Sequence, residues 1–203
     1  MTDIQKRSLL AGAAAALGSA AALGNARSAP PLPTNNAREL MRVRRFPNVP
    51  LLTHEGKEVR FYDDVLKNRK VVFNMMYTVC SNICTPVTQN ILQAQQLLGD
   101  FAKDIHFYSL SLTPLDDDPA ALRAYMKAQH IEKGWTFLTG KPSNVELARQ
   151  GLGFARNQPE QDADLSNHSG MLRIGNEPMV SWGHASALTS GRAIARMIRF
   201  ELT

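Results

Sequence analysis

The most constraining stretch of this chain is Lys70–Tyr77, where Val71, Val72, Phe73, Met75 and Met76 make an apolar run broken only by Asn74. A strand with one wet face alternates apolar and polar residues, whereas a continuous run reads as a strand buried on both faces. Such a strand demands cover on each side of its sheet, and the flanking sequence supplies it. Val49–Leu52 and Glu58–Phe61 read as a small hairpin with Gly56 in its turn. After the run comes a helix with Thr85 as N-cap, Pro86 at its first position and Gly99 just past its end.

Further along, Ile105–Leu112 is the next strand, and Asp118-Pro119 starts a helix reaching about His130. Trp135–Leu138 is a short strand, and Ser143-Asn-Val-Glu146 is a capping box opening another helix. Met171–Ile174 and Met179–Trp182 flank Gly175-Asn-Glu-Pro178 as a second hairpin. An amphipathic helix closes the chain from about Ser190, with Ile194, Met197 and Ile198 on one face. Strands alternating with helices and ending in an antiparallel hairpin specify an α/β fold, with a mixed central sheet and helices on both faces.

The first part of the chain reads differently. Lys6-Arg7 precedes a run from Leu9 to Gly24 built only of Leu, Ala, Gly and Ser, and Gly24 and Ala26 bracket a small-x-small site. That is the pattern of a secretory signal over residues 1–26. Lys6-Arg7-Ser8-Leu9-Leu10 resembles a twin-arginine signal with lysine for the first arginine, and the Sec route is equally compatible. The expected location is the periplasm, with a membrane tether if the signal is not cleaved. Residues 27–47 read as an irregular basic lead-in, and residues 48–203 as the folded domain. Charged residues at 20% and hydrophobic residues at 44% are ordinary globular values that exclude a disordered chain. Much of the net charge of +5 sits in Arg38, Arg42, Arg44 and Arg45. These read as a solvated linker, or as an arm able to touch an anionic membrane surface. No aromatic residues interleave with basic ones as a nucleic-acid surface requires.

Cys80 and Cys84 sit where the buried strand hands over to its helix, the usual site edge of an open α/β sheet. Cys84 directly precedes the expected N-cap, so the helix terminus should favour its thiolate. Three residues separate the cysteines, where thioredoxin-type exchange normally uses two. Sulfurs four apart on one side of a loop–helix turn can grip one ion, and soft thiolates select Cu(I) or zinc. Two cysteines do not complete a site, so further ligands are required. A disulfide closing so short a loop would add little stability. Asp116-Asp117-Asp118 resembles an acidic metal cluster but reads as a solvated helix start with Asp118 as the cap. Met75 and Met76 point to opposite strand faces, which favours core packing over thioether ligation. His54, His106 and His130 read as turn, strand and helix-end residues, with His184 an outside candidate ligand.

In their order and spacing these residues resemble the Sco/SenC family of copper-handling, thioredoxin-like proteins, from about Val49 to Leu202. The matching marks are Gly56-Lys57, Val71–Phe73 and Cys80-x-x-x-Cys84, then Ser109-Leu-Ser-Leu-Thr-Pro114, Leu122-Arg-Ala-Tyr125, Phe137-Leu-Thr-Gly140 and Asn167-His168-Ser169. The resemblance implies a thioredoxin-like fold with an N-terminal hairpin extension. It also implies copper, as Cu(I) or Cu(II), held by Cys80, Cys84 and His168. The sequence departs from the family pattern at Ser81 and at Cys84-Thr85-Pro86, where proline is displaced. Thr113 and Asn167 stand where the family usually has aspartates.

The function this implies is a monomeric extracytoplasmic chaperone that delivers copper to a cuproprotein, most often cytochrome c oxidase. The alternative is an enzyme, a thiol–disulfide oxidoreductase in which Cys80 attacks and Cys84 resolves, reducing cysteines of a target metalloprotein.

Overall fold

In the computed structural model every residue of strand β3 (Lys70–Met76) from Val71 onward is buried, as the apolar run requires. The structure describes residues 36–203 apart from Ser81, Asn82, Glu132, Arg156, Asn157, Pro159, Gln161, Ala163 and residues 165–168. The signal read at residues 1–26 lies outside the described residues, as do His168 and Asn167.

The other strands are β1 (Pro50–Thr53), β2 (Glu58–Arg60), β4 (Ile105–Ser111), β5 (Trp135–Thr139), β6 (Met171–Asn176) and β7 (Ser181–Ser186). Among the described residues they form one sheet in the order β2-β1-β5-β4-β3-β6-β7. β3, β4 and β5 run parallel. The β6–β7 hairpin joins β3 antiparallel on one side, and the β1–β2 hairpin joins β5 on the other. Gly56 takes φ +81 in the β1–β2 turn, a conformation that side chains with a Cβ rarely adopt.

Alternation along β3 divides the core in two. Val72 and Met76 pack on one face with Val87 and Ile91 of α2 (Cys84–Leu98), Leu122 of α3 (Pro119–Ala128) and Ile194 and Ile198 of α5 (Gly191–Leu202). Val71, Phe73 and Met75 pack on the other with Phe61 and Leu66 of a short π-helical turn and with Val145 and Leu152 of α4 (Pro142–Leu152). Each large apolar side chain fully buried in this way contributes about 1.5–3 kcal/mol. Met75 and Met76 are both core residues on opposite faces, 2% and 1% exposed.

Three local expectations are corrected. α4 starts at Pro142 with Lys141 as N-cap, so the Ser143–Glu146 capping box does not form. Proline at the first position preorganises the helix there, and Glu146 instead accepts from the Arg149 guanidinium at 2.8 and 3.0 Å. α2 starts at Cys84, ahead of the expected Thr85 cap. The lead-in read as irregular contains α1 (Ala37–Arg45), a nine-residue helix. Alone, a helix of that length is marginal in water.

Tertiary contacts hold α1 in place. Asn36 caps it by accepting from the Arg38 and Glu39 N–H groups. Arg45 donates to the Gly151 carbonyl at 2.9 Å, and the adjoining Phe46 ring lies 4.6 Å from Trp182. Arg38 makes two 2.7 Å bonds to the Glu177 carboxylate in the β6–β7 turn. The Tyr62 hydroxyl and the Asn68 N–H also donate to Glu177, each at 2.7 Å. Arg38, Arg42 and Arg45 are therefore bonded within the fold, Arg42 to Glu39. They do not form the free basic arm that the composition suggested.

Burial alone would raise the Glu177 carboxyl, but the donors from Arg38, Tyr62 and Asn68 outweigh it and hold it below the ordinary range. A carboxyl depressed on folding stabilises the protein above its unfolded pKa, about 4.3 for glutamate, and loses that contribution as pH falls through the folded value. Glu177→Gln should cost about 2–3 kcal/mol near pH 7, because it weakens charged hydrogen bonds at a buried acceptor. It should also flatten the acid limb of the urea midpoint plotted against pH. Identical acid limbs in the two proteins would refute the assignment.

Candidate metal centre

β3 ends at Met76, and the chain crosses Tyr77, Thr78 and Val79 before reaching Cys80; α2 begins four residues later at Cys84. Both sulfurs thus lie at the carboxyl end of a central parallel strand. Neither cysteine is in a disulfide; Cys80 is half-buried and Cys84 buried.

The two are interlocked through the helix terminus. α2 has no side-chain cap, and its first N–H, that of Cys84, points at the Cys80 Sγ at 3.4 Å. The unpaired amide end of the helix therefore serves Cys80, the reverse of the sequence expectation. Cys84 itself turns into the core beside Val87 and Met76. Burial first, then its hydrogen bond with Cys80, pushes the Cys84 thiol up to about 12, against a smaller opposing pull from the Tyr77 N–H. The helix begins two residues earlier than its cap pattern suggested, so Cys84 is its first residue rather than a loop residue ahead of the cap.

Two phenols stand over the pair. The Tyr77 hydroxyl is hydrogen-bonded to Cys80, which, with burial, pushes it up to about 12. The Tyr125 hydroxyl lies 2.9 Å from Thr88 Oγ1, on the turn of α2 after Cys84, and burial pushes it up to about 12.

Sequence reasoning missed one residue of this region. Asp118 caps α3 as expected, accepting from the Ala121 N–H at 2.7 Å, and Asp116 is exposed. Asp117, between them, is fully buried. Its Oδ1 accepts from the Thr78 N–H at 3.1 Å and from the Thr78 hydroxyl at 2.6 Å. Its Oδ2 accepts from the Ser111 hydroxyl at 2.6 Å and from the Thr113 hydroxyl at 3.0 Å. Thr113, one of the departures from the family pattern, is thus a donor to a buried carboxylate. The hydroxyls of Ser111 and Thr113 just upstream were the available signal, since a run of three aspartates does not say which one turns inward.

His168, the expected third ligand, lies outside the described residues with 165–167; Asp164 before that stretch and Ser169 and Gly170 after it are described. Gly170 is buried with φ +58, and a Cβ there would come within 3.1 Å of Val87 on α2 and 3.0 Å of Leu188. Asp164 is near enough to Tyr77 for its charge to raise the phenol. The outside candidate His184 belongs elsewhere: it is exposed and pairs with Arg173, which pairs with Phe73 on the sheet face opposite α2. His54 accepts from the Phe137 N–H at 3.2 Å, and His106 lies 3.1 Å from Arg69.

Among the described residues no three His, Cys, Asp or Glu side chains group as a metal site. Two soft sulfur donors are present, joined across one helix terminus, and they fit a thiophilic ion such as Cu(I) once a further ligand is added.

Comparison with known proteins points the same way. Residues 47–202 match the SCO1/SenC family model. A SCO1 protein homolog of Bacillus subtilis (strain 168) is 25% identical over 129 residues, which span 62% of this chain and 66% of that relative. The copper-bound structure of Bradyrhizobium japonicum ScoI superposes with a TM-score of 0.60 at 19% identity, covering 77% of this chain and 99% of that one. The structure of BsSco, described as having a disulfide switch and belonging to the Sco family of cytochrome c oxidase assembly proteins, gives 0.60 at 21% identity. That match covers 75% of this chain and 90% of BsSco. The fold is thioredoxin-like, as the resemblance implied.

The burial difference between the thiols has a direct chemical readout. Iodoacetamide at neutral pH should alkylate Cys80 at least about tenfold faster than Cys84 in the reduced protein, because thiol reactivity follows exposure and thiolate fraction. Mass spectrometry of quenched digests gives both rates, and equal rates would contradict the arrangement.

Proposed function

Since the chain belongs to the SCO1/SenC family, we propose that it is an exported copper-binding protein that hands copper to a cuproprotein during cytochrome c oxidase assembly. The observation that carries this is the paired thiols at the end of β3, with the first amide of α2 directed at Cys80. Cys80, Cys84 and His168 are the proposed ligands. His168 is supported by the family resemblance and by Gly170, two residues after it, which packs against α2. Copper bound in the ScoI relative, and the oxidase-assembly role of the family to which BsSco belongs, support the choice of metal and recipient.

The two thiols have different parts in loading and delivery. Cys80 is the sulfur within reach of an incoming donor, and the Cys84 amide stabilises its thiolate. Cys84, buried and hard to ionise when free, binds as its proton leaves and is the last protein sulfur to be displaced. Transfer then proceeds by ligand exchange, with the recipient's donors replacing Cys80 first. The secretory pattern read at residues 1–26 supports the periplasm as the place of this work.

A second reading is favoured by the same burial difference. As a thiol–disulfide oxidoreductase, the Cys80 thiolate would attack a target disulfide and release one target thiolate. The Cys84 thiolate would then displace the mixed disulfide, leaving the target reduced by two electrons and Cys80–Cys84 oxidised.

Titration of the reduced mature protein with copper, beside Cys84→Ser and His168→Ala, separates the readings. The expected result is one equivalent bound, with affinity falling by more than about 100-fold in either variant, beyond the cost of losing an outer partner. A copper affinity unaffected by His168→Ala would remove that residue from the site. No uptake by the unaltered chain, with disulfide exchange intact, would replace the chaperone by the oxidoreductase.

A further inference from the structure

We propose that Asp117 is a positioning residue that holds the cysteine loop on the end of β4 and, through its fixed negative charge, biases the bound metal toward Cu(II) over Cu(I). This rests on the copper-binding reading above and goes beyond it to the oxidation state the site prefers.

The geometry separates two tasks within one carboxylate. Oδ1 takes both donors of Thr78, the residue two before Cys80. Oδ2 takes the hydroxyls of Ser111 and Thr113, where β4 ends. The start of the cysteine loop is thereby tied to the neighbouring parallel strand, and Ser111 is locked further by accepting from the Thr113 N–H at 3.0 Å. A tie of this kind does not need a charge, because an asparagine could accept the Thr78 N–H and offer its amide to the two hydroxyls.

The residue at this position is nevertheless an acid, and it is buried. Asp117 is 0% exposed, and all four of its donors are neutral hydroxyl or amide groups. Among the described residues no ion pair cancels a charge on it. Neutral donors make a buried carboxylate tolerable without removing its field, which in a low-dielectric interior reaches much further than in water. Oδ1 is bonded to Thr78, two residues before Cys80, so a charge on this carboxylate lies at the base of the cysteine loop.

Charge counting then fixes the sign. Two thiolates and a neutral imidazole sum to zero with Cu(II) and to minus one with Cu(I). A fixed negative charge nearby therefore stabilises the Cu(II) form relative to the Cu(I) form. An uncharged tie of the same shape would strengthen or weaken both forms together.

The test compares Cu(II) and Cu(I) affinities, each measured by chelator competition, in the unaltered protein and four variants whose folding is checked by circular dichroism. Asp117→Asn keeps the tie and removes the charge. Thr113→Lys keeps the carboxylate and brings a cation beside it, from a half-buried position with access to solvent. Both should lower the ratio of Cu(II) to Cu(I) affinity about tenfold, which for a one-electron couple is a rise of about 59 mV in potential. Asp117→Glu retains the charge and should leave the ratio near that of the unaltered chain. Thr78→Val weakens the tie and should shift both affinities together. If Asp117→Asn does not fold, Thr113→Lys decides alone. A ratio that is unchanged or raised in the charge-altering variants overturns this inference while leaving copper binding intact. An unaltered chain that binds no copper overturns both.

Discussion

The double burial of β3 is the constraint from which the rest of this structure follows. A strand with Val71, Phe73 and Met75 on one face and Val72 and Met76 on the other is stable only when both faces are covered. α2 and α5 cover one side; α4 and the π-helical turn at 61–66 cover the other. Because β3 pairs with β4 on one side and β6 on the other, its carboxyl end opens between two elements that also end or begin there. The cysteine loop is therefore framed from the start by the β4–α3 loop and by the chain leading into β6.

That frame explains how two thiols one helical turn apart acquire different characters. The first amide of a helix is an unmet donor wherever no side chain caps it. In α2 the donor is met by sulfur, so Cys80 gains a partner for its ionised form while remaining half-exposed. Cys84 belongs to the helix and is drawn into the apolar layer beneath it. Position relative to a helix start, rather than residue type, sets which sulfur is accessible and which is held back.

Much of this was legible in the sequence because it rests on periodicity and capping chemistry. The apolar run, the first hairpin, Asp118 before Pro119 and Ser190 before α5 all act locally, and local signals survive in a linear text. The second hairpin was legible too, but its last strand, expected at Met179–Trp182, runs Ser181–Ser186. What was not legible depends on partners far away in the chain. α1 is too short to announce itself and exists because Arg38 finds Glu177 across 139 positions. Asp117 reads like its two neighbours until the fold turns one aspartate of three inward. The start of α2 was misplaced because Thr85-Pro86 has a sound cap pattern, whereas the earlier start leaves the Cys84 N–H to the Cys80 sulfur and pairs the Val87 N–H with the Ile83 carbonyl. His168 entered through resemblance alone, since a single loop histidine carries no pattern of its own.

The clamp between Arg38 and Glu177 also gives the domain a polarity. Glu177 sits in the turn after Asn176, which pairs with Lys70 at the opening of β3, whereas the cysteines follow its far end. The seven residues of β3 span about 23 Å. A chain that enters the domain at Asn36 is thus moored at one pole while the thiols open at the other. The contact that fixes the first helix and the sulfurs that would meet a partner are thus separated by the length of one strand, so a change in the first can leave the surroundings of the second untouched.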